Sequence, residues 1–135
     1  MTFTDIKAGQ VRDARDQAVQ TAKDSTATLL SYNPDTVEKQ LTDARGLLTG
    51  QFKDSYTQLT TDVVIPGAVQ QRISAVATVP RAASVSTETD HAVVLVFVNQ
   101  TVVVNDSAPT ATLSSVRVTL EKIDDRWLIS MFEPV

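Results

Sequence analysis

The chain has 135 residues, 42% of them apolar and 21% charged, with a net charge of −4 and no cysteine. That length suits one domain, residues 1–135, able to bury most of its unfolded surface, and the missing thiols exclude disulfide staples, Cys-ligated zinc and thiol catalysis. Residues 1–70 carry seven Lys/Arg against nine Asp/Glu and residues 71–135 carry five against seven, so each half is −2 and no basic pole exists to grip nucleic-acid phosphates.

In chain order, the first expected element is a long N-terminal helix within residues 1–32. Val11, Ala14 or Arg15, Ala18, Ala22, Ser25 and Leu29 recur at three- and four-residue spacing, with Val19 and Leu30 widening the stripe. Arg12, Asp13, Asp16, Gln20, Lys23 and Asp24 take the opposite side. The polar stretch Lys7 to Gln20 does not read as a signal peptide. Asn33-Pro34 interrupts the pattern after Tyr32.

A second helix is expected from Asp35 or Thr36, with Val37, Leu41, Ala44, Leu47 and Leu48 inward and Gly50 as its stop. A third follows, with Phe52, Tyr56, Leu59 and Val63 on one side, and Pro66-Gly67 ends or kinks it.

The period then changes to two. Ile73, Ala75, Ala77 and Val79 alternate with Arg72, Ser74, Val76 and Thr78, and Pro80 marks a bulge or an edge. Beyond the polar turn Ser86 to Asp90 comes AVVLVFVNQTVVV, Ala92 to Val104, followed by a loop at Asn105 to Pro109. Leu113 to Ile123 alternates again, Asp124-Asp125 makes a tight turn, and Trp127 to Phe132 closes the chain. Helices first and antiparallel strands afterwards make the class α+β, with helices on a curved sheet of about four strands.

The run from Ala92 to Val98 is seven residues, far short of the roughly 18–20 needed to cross a bilayer as a helix. As a strand it is apolar on both faces, Val93, Leu95 and Phe97 on one and Ala92, Val94, Val96 and Val98 on the other. One face belongs under the helices, and the second then needs its own cover. Val94, Val96, Val98, Asn99 and Gln100 are accordingly the expected interface or cavity wall, with Asn99-Gln100 at a bulge or bend.

Catalytic groups are sparse. His91 is the single histidine and follows Asp90, but adjacent strand residues point to opposite faces, so a solvated residue at a turn outweighs a catalytic pair. Asp124-Asp125 reads as a turn, and Asp5, Asp13 and Asp16 read as a solvated helix face, so no metal is expected. The phosphate-loop, serine-hydrolase and zinc-protease motifs are all missing. Phe52, Tyr56 and Trp127 suit packing. No catalytic or cofactor-binding residue is therefore assigned.

Several stretches together resemble a known family. Thr26 to Phe52, TATLLSYNPDTVEKQLTDARGLLTGQF, looks like the LLSYxxxTxxxxLxxARxxLTGxF pattern of the Mce-associated membrane proteins. VIPGAVQQ (Val64 to Gln71), VLVFVNQTV (Val94 to Val102) and RWLISMFEPV (Arg126 to Val135) follow in order, so the likeness covers roughly Val11 to Val135. Pro34 falls in a variable part of the pattern.

The resemblance implies a nuclear-transport-factor-2-like cone, similar to that of the inner-membrane scaffold of type IV secretion systems. It implies a transmembrane helix preceding this region, which would place the domain on the extracytoplasmic side of the cell membrane. It also implies a non-catalytic accessory role supporting Mce complexes that import lipids, with Mce proteins, a lipid or a second copy as partners. No family catalytic residue carries over. The alternatives are a lipid binder or ketosteroid-isomerase-like enzyme of the same fold, with Tyr32 or Tyr56 as acid donor, and a secretion-system scaffold. The isomerase version lacks an Asp or Glu base inside an apolar strand run.

Overall fold

The computed structural model describes the backbone of residues 3–135 and the side chains of residues 9–135, so the Asp5 carboxylate lies outside the described residues. The elements run α1 (Phe3–Leu29), α2 (Val37–Ala44), α3 (Gly50–Leu59), α4 (Ile65–Gln71), β1 (Ile73–Thr87), β2 (His91–Val104), β3 (Thr110–Ile123) and β4 (Arg126–Pro134). The strands form one antiparallel meander in the order β1-β2-β3-β4, and the helices pack on one side of it.

The alanine stripe of α1 does what its spacing requires. Ala14, Ala18, Ala22 and Leu29 are buried with Ser25 and Thr26, and small side chains let the helix lie close over β1 and β2. The helix stops at Leu29, three residues short of Tyr32, and Asn33-Pro34 beyond it forms an Asx turn in which the Asp35 N–H donates to Asn33 Oδ1 at 3.0 Å. The Gln40 side-chain oxygen Oε1 accepts from the Asn33 N–H and the Thr36 hydroxyl, both at 2.9 Å, and so fixes the entry to α2.

Two helix boundaries depart from expectation. Gly50 does not stop α2, which already ends at Ala44 in a short 3₁₀ turn, Arg45–Leu47. Gly50 opens α3 instead, at φ +66°, a left-handed backbone that an L side chain resists. Pro66 does not end the third helix either. The chain widens into a π turn over Thr60–Val64 and continues as α4, with Pro66 in the first turn, where the N–H it lacks has no helical partner to miss. The helix runs on to Gln71 and stops at Arg72, φ 56°.

In the sheet, β1 is an edge strand with a bulge between Thr78 and Arg81, at Val79-Pro80, as the proline foretold, and a second irregularity at Val85. The expected bulge at Asn99-Gln100 is absent. Asn99 pairs with Leu113 and Gln100 with Thr112 in unbroken register, so the bend lies in the neighbouring strand, which has the proline. Asp124 and Asp125 both have positive φ, 51° and 66°, the form of a two-residue hairpin turn that keeps the strand twist.

The core is contiguous. Ala92, Val94, Val96 and Val98 of β2, Val116, Val118 and Leu120 of β3, and Trp127 and Ile129 of β4 meet Val37, Leu41, Ala44 and Leu48 and the α1 alanines. These side chains occupy the space between the helices and the sheet.

Candidate interaction surface

The first question is which face of β2 is open. Val94, Val96 and Val98 are fully buried within the single chain, so they are neither an exposed interface nor the wall of an open cavity. The expectation fails because β2 is apolar on both sides and cannot choose a face by itself. Its partner chooses. Register places Val94 against Val118 and Val96 against Val116, and it places Leu95 against Arg117. Over Ser115 to Glu121 strand β3 alternates, with Val116, Val118 and Leu120 inward and Ser115, Arg117, Thr119 and Glu121 outward, and it carries β2 with it.

Gln100 is on the inner side and half-buried, and its Nε2 donates to the Leu30 carbonyl at 3.0 Å. Leu29 and Leu30 belong to the end of α1, where helix carbonyls lose their intrahelical partners. The buried Tyr56 hydroxyl donates to the Leu29 carbonyl, also at 3.0 Å. Ser31 Oγ accepts the Ala77 N–H at 2.9 Å. The Tyr32 and Ala75 backbones exchange two hydrogen bonds of 2.9 Å each. The family-like residues Leu30-Ser31-Tyr32 and Gln100 thus fasten a helix end to the edge of the sheet, a structural task.

Burial pushes the Tyr56 phenol up to about 12, against an opposing pull from the Arg45 charge. Only the neutral phenol can donate to the carbonyl, so folding favours the protonated form. The stability this contributes is complete below the ordinary phenol value of 10.0 and is lost as pH rises through about 12. Tyr56→Phe should cost about 1–3 kcal/mol at neutral pH, because the Leu29 carbonyl stays buried without its donor. Urea titrations between pH 9 and 12 check this, and the variant should show the flatter alkaline decline. Burial also raises the Tyr32 phenol, and that effect is common to both proteins.

The remaining candidates do not converge. His91 Nδ1 lies 4.0 Å from Glu121 Oε1, and both side chains are well exposed. Among the described residues no three His, Asp or Glu side chains approach closely enough to hold a metal ion. Two open grooves of about 530 and 590 Å³ flank α2 and share Glu38, Thr42 and Val69.

The uncovered surface of consequence is the outer face of the sheet. Register arranges it in rows: Thr78–Asn99–Leu113, then Arg81–Phe97–Ser115, then Ala83–Leu95–Arg117–Glu133, then Val93–Thr119–Met131. Leu113 is 82% exposed, Val76 61%, Met131 48% and Phe97 43%, and Val93 and Leu95 are half-buried between them. Exposed apolar residues gathered on one face make it the candidate interaction surface. Among the described residues Arg81, Arg117 and Glu133 close no ion pair, although Arg117 and Glu133 are opposite one another in register. Sequence reasoning named the face of β2 that the core covers; the alternation of Ser115, Arg117 and Thr119 is the signal that puts Leu95 and Phe97 on the open side.

No protein-family model matches the chain. The outer membrane protein Rv1973 of Mycobacterium tuberculosis is 63% identical over 130 residues, which span 94% of this chain and 81% of that protein. The uncharacterized protein Rv1362c of the same organism is 46% identical over 119 residues, covering 87% of this chain and 54% of that one. Among solved structures, an IcmL-like type IV secretion system protein from Legionella pneumophila superposes with a TM-score of 0.76 at 9% identity, covering 90% of this chain and 91% of that one. The periplasmic domain of DotI gives 0.69 at 15% identity, covering 87% and 91%. The VirB8 protein of Agrobacterium tumefaciens gives 0.59 at 15% identity, covering 100% and 94%. At such identities the likeness is one of fold, the expected nuclear-transport-factor-2-like packing of helices on a four-stranded antiparallel sheet. No helix among the described residues is long and apolar enough to cross a membrane. With nearly two thirds of its aligned residues identical, the chain belongs to the family of the Mycobacterium tuberculosis outer membrane protein Rv1973.

Proposed function

We propose that the protein is a non-catalytic accessory subunit of an Mce lipid-import complex, acting by protein contacts on the outer side of the cell membrane. The observation that carries this reading is the division of labour between the two faces of the sheet. The family-like residues Ser31, Tyr32 and Gln100 are engaged in holding the fold together. Phe97, Leu113 and Met131, apolar and left in solvent, share the opposite face. A surface of that chemistry serves binding, and the His91–Glu121 pair at its end is solvent-exposed. The Mce assignment rests on the sequence patterns around Leu29 to Phe52 and Val94 to Val102, and the envelope setting agrees with the relative named as an outer membrane protein.

Deleting the protein should lower the abundance of its Mce partners and slow lipid uptake, with recovery on complementation. Unchanged abundance and unchanged uptake would overturn the assignment.

A second reading, a scaffold component of a secretion system, draws on the fold shared with the IcmL-like, DotI and VirB8 proteins. Gene neighbourhood separates the two: Mce and permease genes alongside favour the first, secretion ATPase genes the second.

A further inference from the structure

We infer that the groove between α2 and α4 binds a small amphiphile with one carboxylate and an aliphatic tail, its head on Arg45 and its tail along Ile65 and Val69. The site is on the helical side of the molecule and does not draw on the outer face of the sheet.

Two antiparallel helical segments build the groove. At one end an Arg45 Nη donates to Thr61 Oγ1 at 2.9 Å, and at the other Arg72 pairs with Asp35 at 2.9 Å. Between those ties Glu38, Thr42 and Arg45 follow at i, i+4 and i+7, so they share one face. The facing wall is apolar, made by Ile65, Pro66 and Val69, and the groove holds about 530 Å³, within the range of small-molecule clefts.

Arg45 is half-buried, yet it closes no ion pair among the described residues. Its Nε is buried without an acceptor, and its side-chain hydrogen bond goes to a neutral hydroxyl. A guanidinium drawn out of water with so little in return is under-compensated. A carboxylate is the group whose geometry matches its fork of donors. A second positive charge stands at the same end, where an Arg126 Nη reaches the Gly46 carbonyl at 3.2 Å. Thr61 itself belongs to the π turn Thr60–Val64, a distortion that recurs at functional sites.

Charge also sets the orientation and valence of the ligand. Glu38 lines the groove about 10 Å from Arg45 along the helix. It repels an anion at its own end, so the head goes to Arg45, and a monoanion fits better than a dianion. The carboxylates beyond it are already engaged, Asp43 by Lys39 at 2.8 Å and Asp35 by Arg72. Val69 is shared with the second groove along α2, where Pro34 and Val37 continue the apolar path and give the tail room to run on.

The test is an NMR titration of the full chain with decanoate, following the Arg45 Nε–Hε resonance and the Val69 methyls. Both should shift along one saturable curve, with a Kd of about 0.1–1 mM. Acetate supplies the head alone and decanol the tail alone, and each should bind at least about tenfold more weakly. Arg45→Gln should weaken decanoate binding at least about tenfold. Val69→Glu, at a position 50% exposed and so compatible with folding, should do the same. Thermal unfolding checks that both variants are folded.

No saturable shift at Arg45 overturns the inference. Decanol or acetate binding as tightly as decanoate also overturns it, as does undiminished binding by folded Arg45→Gln or Val69→Glu. Shifts confined to Phe97, Leu113 and Met131 would assign the amphiphile to the outer face of the sheet and equally overturn it.

Discussion

Val94→Asp should not fold, whereas Leu95→Asp, one residue further along the same strand, should fold almost as well as the wild type. Val94 is fully buried, with Val118 opposite it and the helices above. A carboxylate there would sit among apolar side chains, and an unpaired buried charge costs more than about 4 kcal/mol. Domains of this size have about 5–15 kcal/mol in total. Leu95 shares the outer face with Arg117, its direct neighbour on β3, so its replacement meets water and a guanidinium and should cost no more than about 1–2 kcal/mol. Circular dichroism and urea unfolding of the pair read out the outcome. The opposite order would invert the faces of β2 and with them the whole placement of the interaction surface.

Ile129→Ala should lower stability by about 2–5 kcal/mol, the range for truncating a buried aliphatic side chain, and thermal midpoints should fall by roughly 10–20 °C. Ile129 is fully buried, pairs with Leu120 in the sheet and bridges to Leu48 in parallel fashion. Its carbonyl accepts the Thr49 N–H at 2.9 Å, the contact that seats the start of α3 against the free edge of β4. The truncation leaves that backbone bond but empties the side-chain volume beneath it. An unchanged urea slope with a lower midpoint would identify a pure stability loss. Met131→Ala, two residues on but facing out, is the control and should stay within about 1 kcal/mol of wild type. Equal losses at both positions would contradict the layer assignment.

Much of this architecture is legible in the sequence where a local rule acts alone. The phase of α1 follows from its alanine spacing, the end of α1 from Asn33-Pro34, and the last hairpin from two adjacent aspartates that tolerate positive φ. What is not legible depends on a partner. The face of β2 is set by β3, and the role of Gln100 by a helix end seventy positions away. Gly50 and Pro66 have two uses each, stopping a helix or starting one, and the tertiary packing selects the second. The sequence therefore points to the face of β2 that the core covers. A pairwise alignment of β2 with β3, apolar positions to apolar positions, would have corrected it.

The junction at Leu29 to Tyr32 also bears on how the molecule opens. Helix ends ordinarily fray first, and their amides exchange with solvent long before those at the middle. In α1 the C-terminal end is held by the Tyr56 hydroxyl, the Gln100 amide, the Ala77 N–H and the backbone of Ala75. Those contacts come from α3, β1 and β2, so the last turn of α1 cannot loosen while the sheet is intact. Amide protection along the helix should therefore rise from Gln10 toward Leu30 instead of peaking in the centre, and the final turn should exchange only in the event that opens the sheet itself.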